Sequence, residues 1–65
     1  MTAVKMVEML GESQSNWNDA VQQALREASK HVSNITGVEV LNLTVGVEDG
    51  KISEYKANVK IAYTD

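Results

Sequence analysis

Residues 17–35 read WNDAVQQALREASKHVSNI and place apolar side chains at steps of three and four along the chain. This spacing lines one face of an α-helix for about five turns. The apolar stripe consists of Trp17, Ala20, Val21, Ala24, Leu25, Ala28, Val32 and Ile35. Alternating apolar and polar residues, which are typical of β-strands, flank the stripe on both sides. The chain therefore predicts the element order β-α-β-β.

Capping and charged residues predict a helix from about residue 14 to residue 33. Ser13 or Ser15 offers a side-chain oxygen to the free N–H groups at the start of the helix. Asp19 lies near the positive end of the helix dipole, which favours a carboxylate there. Asn34 provides the C-terminal stop.

The segments around the helix predict three strands. The first strand covers residues 3–10 and ends at Gly11, and the second covers residues 35–47. Residues 48–51 form a tight hairpin turn, because the Asp-Gly pair supplies the positive φ angles that a two-residue loop needs. A third strand lying between the other two gives an antiparallel sheet in the order 1-3-2. The predicted fold class is α+β, with this three-stranded sheet packed on one helix.

The apolar pattern of the second strand changes phase in the middle. Val38 and Val40 share one face by strict alternation, whereas the apolar residues from Leu41 to Val47 share the other. A strand of period two cannot bury both sets against one helix. Either a bulge lies near Val40 and Leu41, or the two faces are buried by different partners, the helix and a neighbouring subunit.

The small size of the chain predicts self-association. Sixty-five residues bury only roughly 60% of their unfolded surface, which leaves a lone copy marginally stable. Disulfides are excluded because the chain has no cysteine, and a zinc site is nearly excluded because His31 is the single imidazole. Oligomerisation is the remaining route to stability.

Composition also limits the classes of partner. The net charge is −3 and the six Lys and Arg residues are scattered, so nucleic-acid binding is not expected. No apolar run is long enough to span a bilayer, and no charged-then-apolar leader is visible at the N-terminus. We therefore expect a cytoplasmic protein without nucleic-acid or membrane partners.

Few residues suggest chemistry, and each has a structural interpretation. His31 is expected to act as a charge at the helix C-terminus or as a half-buried packing residue, so no catalytic residue and no enzyme activity are predicted. Trp17 could stack on a planar ligand, but packing is the favoured interpretation. Glu48 and Asp49 supply too few oxygens for a calcium site and are interpreted as a solvated turn. No metal ligand is predicted.

An ordered set of short motifs resembles the dodecins over essentially the whole chain, as one domain spanning residues 1–65. The set comprises Gly11-Glu12-Ser13, a helix beginning near Trp17 with Ala20, Ala24 and Ala28, then Val38-Glu39-Val40, and Tyr55 in the last strand. The resemblance implies a hollow homododecamer that stores or sequesters flavin, riboflavin or FMN, between subunits without being an enzyme. It also implies an alternative, a ligand-free or calcium-binding oligomer of the same fold.

The resemblance further implies a flavin site at Gly37, Val38 and Lys56. Gly37 stands where the family has a tryptophan that stacks on the flavin ring, and Lys56 stands where a glutamine commonly hydrogen-bonds the ring. Glycine cannot stack, and lysine donates hydrogen bonds but cannot accept them. Flavin affinity is therefore expected to be weak, and Lys56 favours an anionic ligand or partner side chain.

Overall fold

The computed structural model describes residues 3–64, and its elements follow the predicted order. Strand β1 spans Lys5–Ser13, helix α1 Trp17–Ala28, strand β2 Ile35–Glu48 and strand β3 Lys51–Tyr63. β3 lies between β1 and β2 and pairs antiparallel with both. The predicted α+β fold and the strand order 1-3-2 are confirmed.

The helix begins later than the sequence predicted, because β1 continues to Ser13. The N-cap is Asn16, whose Oδ1 accepts a hydrogen bond of 2.7 Å from the backbone N–H of Asp19. The Ser13 hydroxyl instead holds the preceding turn, donating to Asp19 Oδ2 at 2.7 Å and accepting from the N–H of Ser15 at 2.9 Å. The prediction of Ser13 or Ser15 as the cap was wrong.

The helix also ends earlier than predicted, at Ala28. Tighter backbone bonds close its last turn, with Lys30 N–H donating to Glu27 O and His31 N–H to Ala28 O. Asn34 takes a left-handed φ of 57°, but it turns the chain into β2 rather than stopping the helix. Val32 and Ile35 continue the helical spacing of the apolar stripe, but they pack on the same core from outside the helix.

Gly11 does not end β1 but allows the helix to approach it. A Cβ at this position would lie 1.9 Å from the backbone oxygen of Ala20 and 3.1 Å from the Cβ of Ala24. Small side chains thus meet where α1 crosses β1. The buried core formed there and on β3 is small and consists of Ala20, Ala24, Ala28, Ala57, Val59 and Ile61.

A bulge in β2 resolves the change of phase. The register shifts between Val40, opposite Val59, and Asn42, opposite Asn58. Leu43 then lies opposite Ala57, a core residue on the α1 side of the sheet. Of the two alternatives, the bulge near Val40 and Leu41 is confirmed, and it returns both apolar sets to one face. The predicted hairpin turn is confirmed as well, with φ of 52° at Asp49 and 73° at Gly50.

α1 is too short and too far to one side to cover the sheet. It packs on β1 and β3, and its 12 residues span about 18 Å against about 46 Å for the 14 residues of β2. Besides Leu41 in the bulge, five large apolar side chains on β2 and the hairpin are left 36–61% exposed: Val40, Leu43, Val45, Val47 and Ile52. We call this set the apolar strip. The chain is correspondingly elongated, measuring 51 × 19 × 14 Å.

Candidate ligand site

The three predicted site residues do not meet within one copy of the chain. Gly37 lies opposite Ala62 on β3, and Lys56 lies six positions earlier on that strand, about 20 Å away. Both positions belong to the sheet face turned away from α1. Val38 lies opposite the buried Ile61 and packs on the core. A site that uses both Gly37 and Lys56 therefore needs two copies.

Gly37 leaves open space at the beginning of β2. The residue is half-buried, and a Cβ placed on it would meet no atom within 4 Å. Its φ is not in the left-handed region, so a larger residue fits the backbone without strain. This position can hold a large aromatic side chain, although the sequence provides none.

Lys56 is surrounded by carboxylates. Its Nζ lies 3.4 Å from Glu54 Oε1, and the register places Glu12 of β1 directly opposite. Lys60, on the same face, has Glu8 opposite on β1 and Glu39 opposite on β2. The prediction that Lys56 favours an anion treated it as an isolated charge. The neighbouring carboxylates offset that charge and disfavour a free anion.

Glu54 lies on the same outward face of β3 as Lys56, where the alternation of the strand also predicted it. It lies opposite Gly46, where an added Cβ would come within 2.9 Å of both Glu54 Cγ and Glu54 Oε1. β1 has already ended at Ser13, opposite Tyr55, so Glu54 has a strand neighbour on one side only. Its contact with the β2 backbone depends on the pairing of Glu54 with a glycine across the hairpin. This pairing can be recognised only when the register of β2 and β3 is known.

Trp17 connects the helix to the long hairpin. Its Nε1–H donates a hydrogen bond of 3.1 Å to the backbone oxygen of Thr44. Its ring meets Tyr55 edge to face, with centroids 5.1 Å apart and an interplanar angle of 78°. These contacts support the packing interpretation of Trp17. They also place it on the sheet face opposite to Glu54 and Lys56.

His31 lies in an exposed surface cluster after the helix. Its Nε2 is 3.4 Å from Glu27 Oε2, and Lys30 Nζ is 3.2 Å from Glu27 Oε1. The hydrogen bond and charge of Lys30, followed by those of His31, lower the pKa of Glu27. An open depression of about 300 Å³ adjoins this end of the sheet. It is lined by Lys5, His31, Val32, Ser33, Tyr63 and Thr64.

Within residues 3–64, no three His, Cys, Asp or Glu side chains come together as a potential metal site. None of the helices there has the length and apolar character needed to cross a membrane.

Comparison with known proteins gives one family. The family model for dodecin matches residues 3–65. A search among curated protein sequences found no significant match.

Solved structures resemble the whole chain. Dodecin from Streptomyces coelicolor superposes with a TM-score of 0.94 at 22% identity, over 98% of this chain and 91% of that one. A tryptophan-to-phenylalanine mutant of the Thermus thermophilus dodecin gives a TM-score of 0.94 at 23% identity, over 100% and 97%. The calcium dodecin of Mycobacterium tuberculosis, described as calcium-chelating, gives 0.84 at 23% identity, over 97% and 90%. At these identities the structures show a shared fold, while the family model covers nearly every residue. The chain therefore belongs to the dodecin family.

Proposed function

We propose that twelve copies of this chain assemble into a hollow shell that binds and stores a flavin, riboflavin or FMN, without catalysing a reaction on it. The observation that carries this proposal is the distance of about 20 Å between Gly37 and Lys56 on one sheet face. Only a second copy can bring these two positions to a common ligand, which is how the family binds flavin.

The apolar strip supports assembly independently of any ligand. Its five side chains expose roughly 400 Å², as much as the single largest apolar patch of a typical protein, and such patches often mark interaction sites. The six buried core residues include four alanines, so the core itself contributes little apolar burial. Covering the strip with further copies of the chain supplies the missing burial.

The residues present fit a flavin in part. Glu54 and Lys56 offer an acceptor and a donor to a polar ring edge, and Gly37 leaves room for a ring at a half-buried position. The stacking aromatic is absent from position 37, so flavin affinity is proposed to be weaker than a tryptophan there would give. A bound flavin would supply only its own ring and its photochemistry, and storage requires no further step from the chain.

Quenching of flavin fluorescence tests the proposal. FMN titrated into the assembled wild-type protein should be quenched with weak affinity. Gly37→Trp should bind about tenfold more tightly or better, because stacking a ring on a nitrogen heterocycle contributes about 1–3 kcal/mol. Gly37→Ala is the matched control: it adds a Cβ into the same space without an aromatic ring and should show no such gain. Failure of both wild type and Gly37→Trp to quench FMN, with assembly intact, would overturn the flavin proposal.

A ligand-free shell is the second candidate, and the glycine at position 37 favours it. Native mass spectrometry of the purified protein separates the candidates by adduct mass, since a flavin, a calcium ion and an empty shell give different masses. Calcium retention after dialysis would indicate a metal-binding shell instead.

A further inference from the structure

The hairpin between β2 and β3 extends beyond the rest of the sheet. β1 ends at Ser13, opposite Tyr55, so residues 46–54 continue as a two-stranded ribbon, which we call the arm. Val47 and Ile52 pair across the arm and are 61% and 55% exposed. A two-stranded hairpin is marginally stable at best in water. The arm therefore needs a surface on which its apolar side chains can pack.

The flank of α1 toward β1 is polar. Asp19 Oδ2 accepts a hydrogen bond from Ser13 of β1, which fixes the direction of this flank. Gln23 Nε2 donates to Asp19 Oδ1 at 3.5 Å, and Arg26 Nη1 donates to Gln23 Oε1 at 3.2 Å. Side chains three and four residues apart share one side of a helix, so this chain of hydrogen bonds runs along the β1 side of α1.

The flank of α1 toward β2 is apolar. Trp17 reaches β2 through its hydrogen bond to Thr44 O, and Val21 and Leu25 follow it at steps of four. Both are half-buried, and Val21 also packs on the core. The apolar flank of the helix thus stands beside the exposed apolar side chains of β2.

This flank and β2 form a step with an apolar wall and an apolar floor. We call the step the ledge; its wall is Val21 and Leu25, and its floor is Val40 and Leu43. Val40 lies opposite Val59 and Leu43 opposite Ala57, so the floor belongs to the sheet face on which α1 packs. Trp17 stands at the end of the ledge nearest the arm.

The arm matches the ledge in height and in chemistry. A helix is about 10 Å across and stacked sheets lie about 10 Å apart, so a β-ribbon lying on the floor is level with the wall. The apolar strip and Trp17 together expose roughly 500 Å², close to the apolar share of one side of a standard interface of about 800 Å². The exposed apolar area therefore suffices for a stable contact with another copy.

We propose that the arm of one copy packs into the ledge of a second copy, with Val47 and Ile52 lying on its floor. One copy cannot make this contact with itself, because Leu43 and Ile52 lie about 17 Å apart on the same sheet face. The contact covers the arm of the first copy and the uncovered half of the second. This inference rests on the assembly in the proposed function and on no ligand.

Cross-linking between introduced cysteines tests the contact, since the chain has no cysteine of its own. A protein carrying Leu43→Cys and Ile52→Cys is treated, as the assembled oligomer, with a bismaleimide too short to join the two positions within one copy. Denaturing gels should show covalent dimers or a ladder of larger species. Peptide mass spectrometry should identify links between positions 43 and 52.

A matched variant gives the background of this experiment. Arg26→Cys combined with Ile52→Cys places the first thiol on the polar flank of α1, away from the ledge. Links between positions 26 and 52 should be almost absent. Assembly and folding of both proteins are checked by native mass spectrometry and circular dichroism before cross-linking.

Hydrogen exchange of the wild-type assembly tests the same contact without any substitution. Amides of the arm should exchange within about tenfold of those in the centre of β3, because covered hydrogen bonds open as rarely as the core. Exchange of the arm more than about a hundredfold faster, in an intact assembly, would mean that the arm is uncovered.

The outcomes separate this inference from the proposed function. An intact assembly in which position 52 links to position 26 as readily as to position 43, or in which the arm exchanges freely, overturns the inference and leaves the shell standing. A monomer in native mass spectrometry overturns both. Failure to bind flavin overturns storage alone.

Discussion

The β1 side and the β2 side of the sheet have similar apolar content but different neighbours. On the β1 side, α1 approaches so closely that only glycine fits at residue 11, and the contacting core residues Ala20 and Ala24 are buried. On the β2 side, Leu43 and Val45 lie 48% and 36% exposed, and the contact that α1 makes nearby is the Trp17 hydrogen bond to Thr44 O. On the face toward α1, the β1 side is therefore covered within one copy, whereas the β2 side is left for another copy to cover. Met6 and Leu10 on β1 are 49% and 53% exposed, but they lie on the other face of the sheet. Folding of the β1 side and assembly through the β2 side therefore depend on different contacts of this short chain.

The largest effect is expected from Gly11→Ala, which disrupts the contact between α1 and β1. The new Cβ would lie 1.9 Å from the oxygen of Ala20, and because this is helix backbone the two elements must separate. We expect destabilisation of at least about 3 kcal/mol, at the upper end for overpacking. Urea unfolding at fixed protein concentration measures it. Gly37→Ala is the control, since its Cβ meets no atom within 4 Å and its stability should stay close to wild type.

Leu43→Glu should prevent assembly through the apolar strip on the β2 side. A carboxylate placed in the apolar strip would be buried without a partner on assembly, which costs several kcal/mol per copy. Sedimentation velocity should show loss of the large species. Gln22→Glu introduces the same charge on an exposed polar position of α1 and should leave the assembly intact. A Leu43→Glu protein that sediments like wild type would contradict the assignment of the strip as an interface between copies.

Asn16→Ala tests the N-cap of α1, on the β1 side of the molecule. It removes the side chain that accepts from Asp19 N–H, so α1 loses its N-cap and the protein should lose about 1 kcal/mol of stability. Thermal unfolding followed by circular dichroism measures the change. Asn18→Ala, at an exposed position in the first turn, should cost less. Equal losses in the two variants would mean that the cap contributes nothing specific.

The smallest effect concerns Glu27 at the end of α1. Its pKa is lowered from the ordinary value of 4.5, first by Lys30 and then by His31. A lowered pKa in the folded state adds stability above the unfolded-state value, and this is lost as pH falls through the folded-state value. The effect should be slight because the Glu27 side chain is exposed and solvent screens its charge. Glu27→Gln should flatten the acid dependence of stability slightly below pH 4.5, whereas Gln22→Glu should not.

Most of the fold could be predicted from the sequence, because local patterns determine it. The period of the alanine stripe, the Asp-Gly turn and the phase change near Val40 predicted the elements, the hairpin and the bulge. The helix bounds could not be predicted, because Val32 and Ile35 continue the helical spacing while packing on the core from outside the helix. Gly11 was misinterpreted as a stop because its role depends on a tertiary contact with Ala20.

The candidate site was less predictable than the fold. Gly37 and Lys56 came from a resemblance between sequences, and only the register shows that one copy keeps them about 20 Å apart. The contact between Glu54 and Lys56 could not be predicted, because it depends on the space left by Gly46 across the hairpin. Such cross-strand contacts are set by register, which a bulge changes by one residue.

Native mass spectrometry of the purified wild-type protein tests the central claim most directly, that the uncovered β2 side is completed by other copies of the chain. The account predicts a twelve-subunit mass at micromolar concentration, gaining flavin-sized increments when FMN is added. A folded monomer at the same concentration would contradict it.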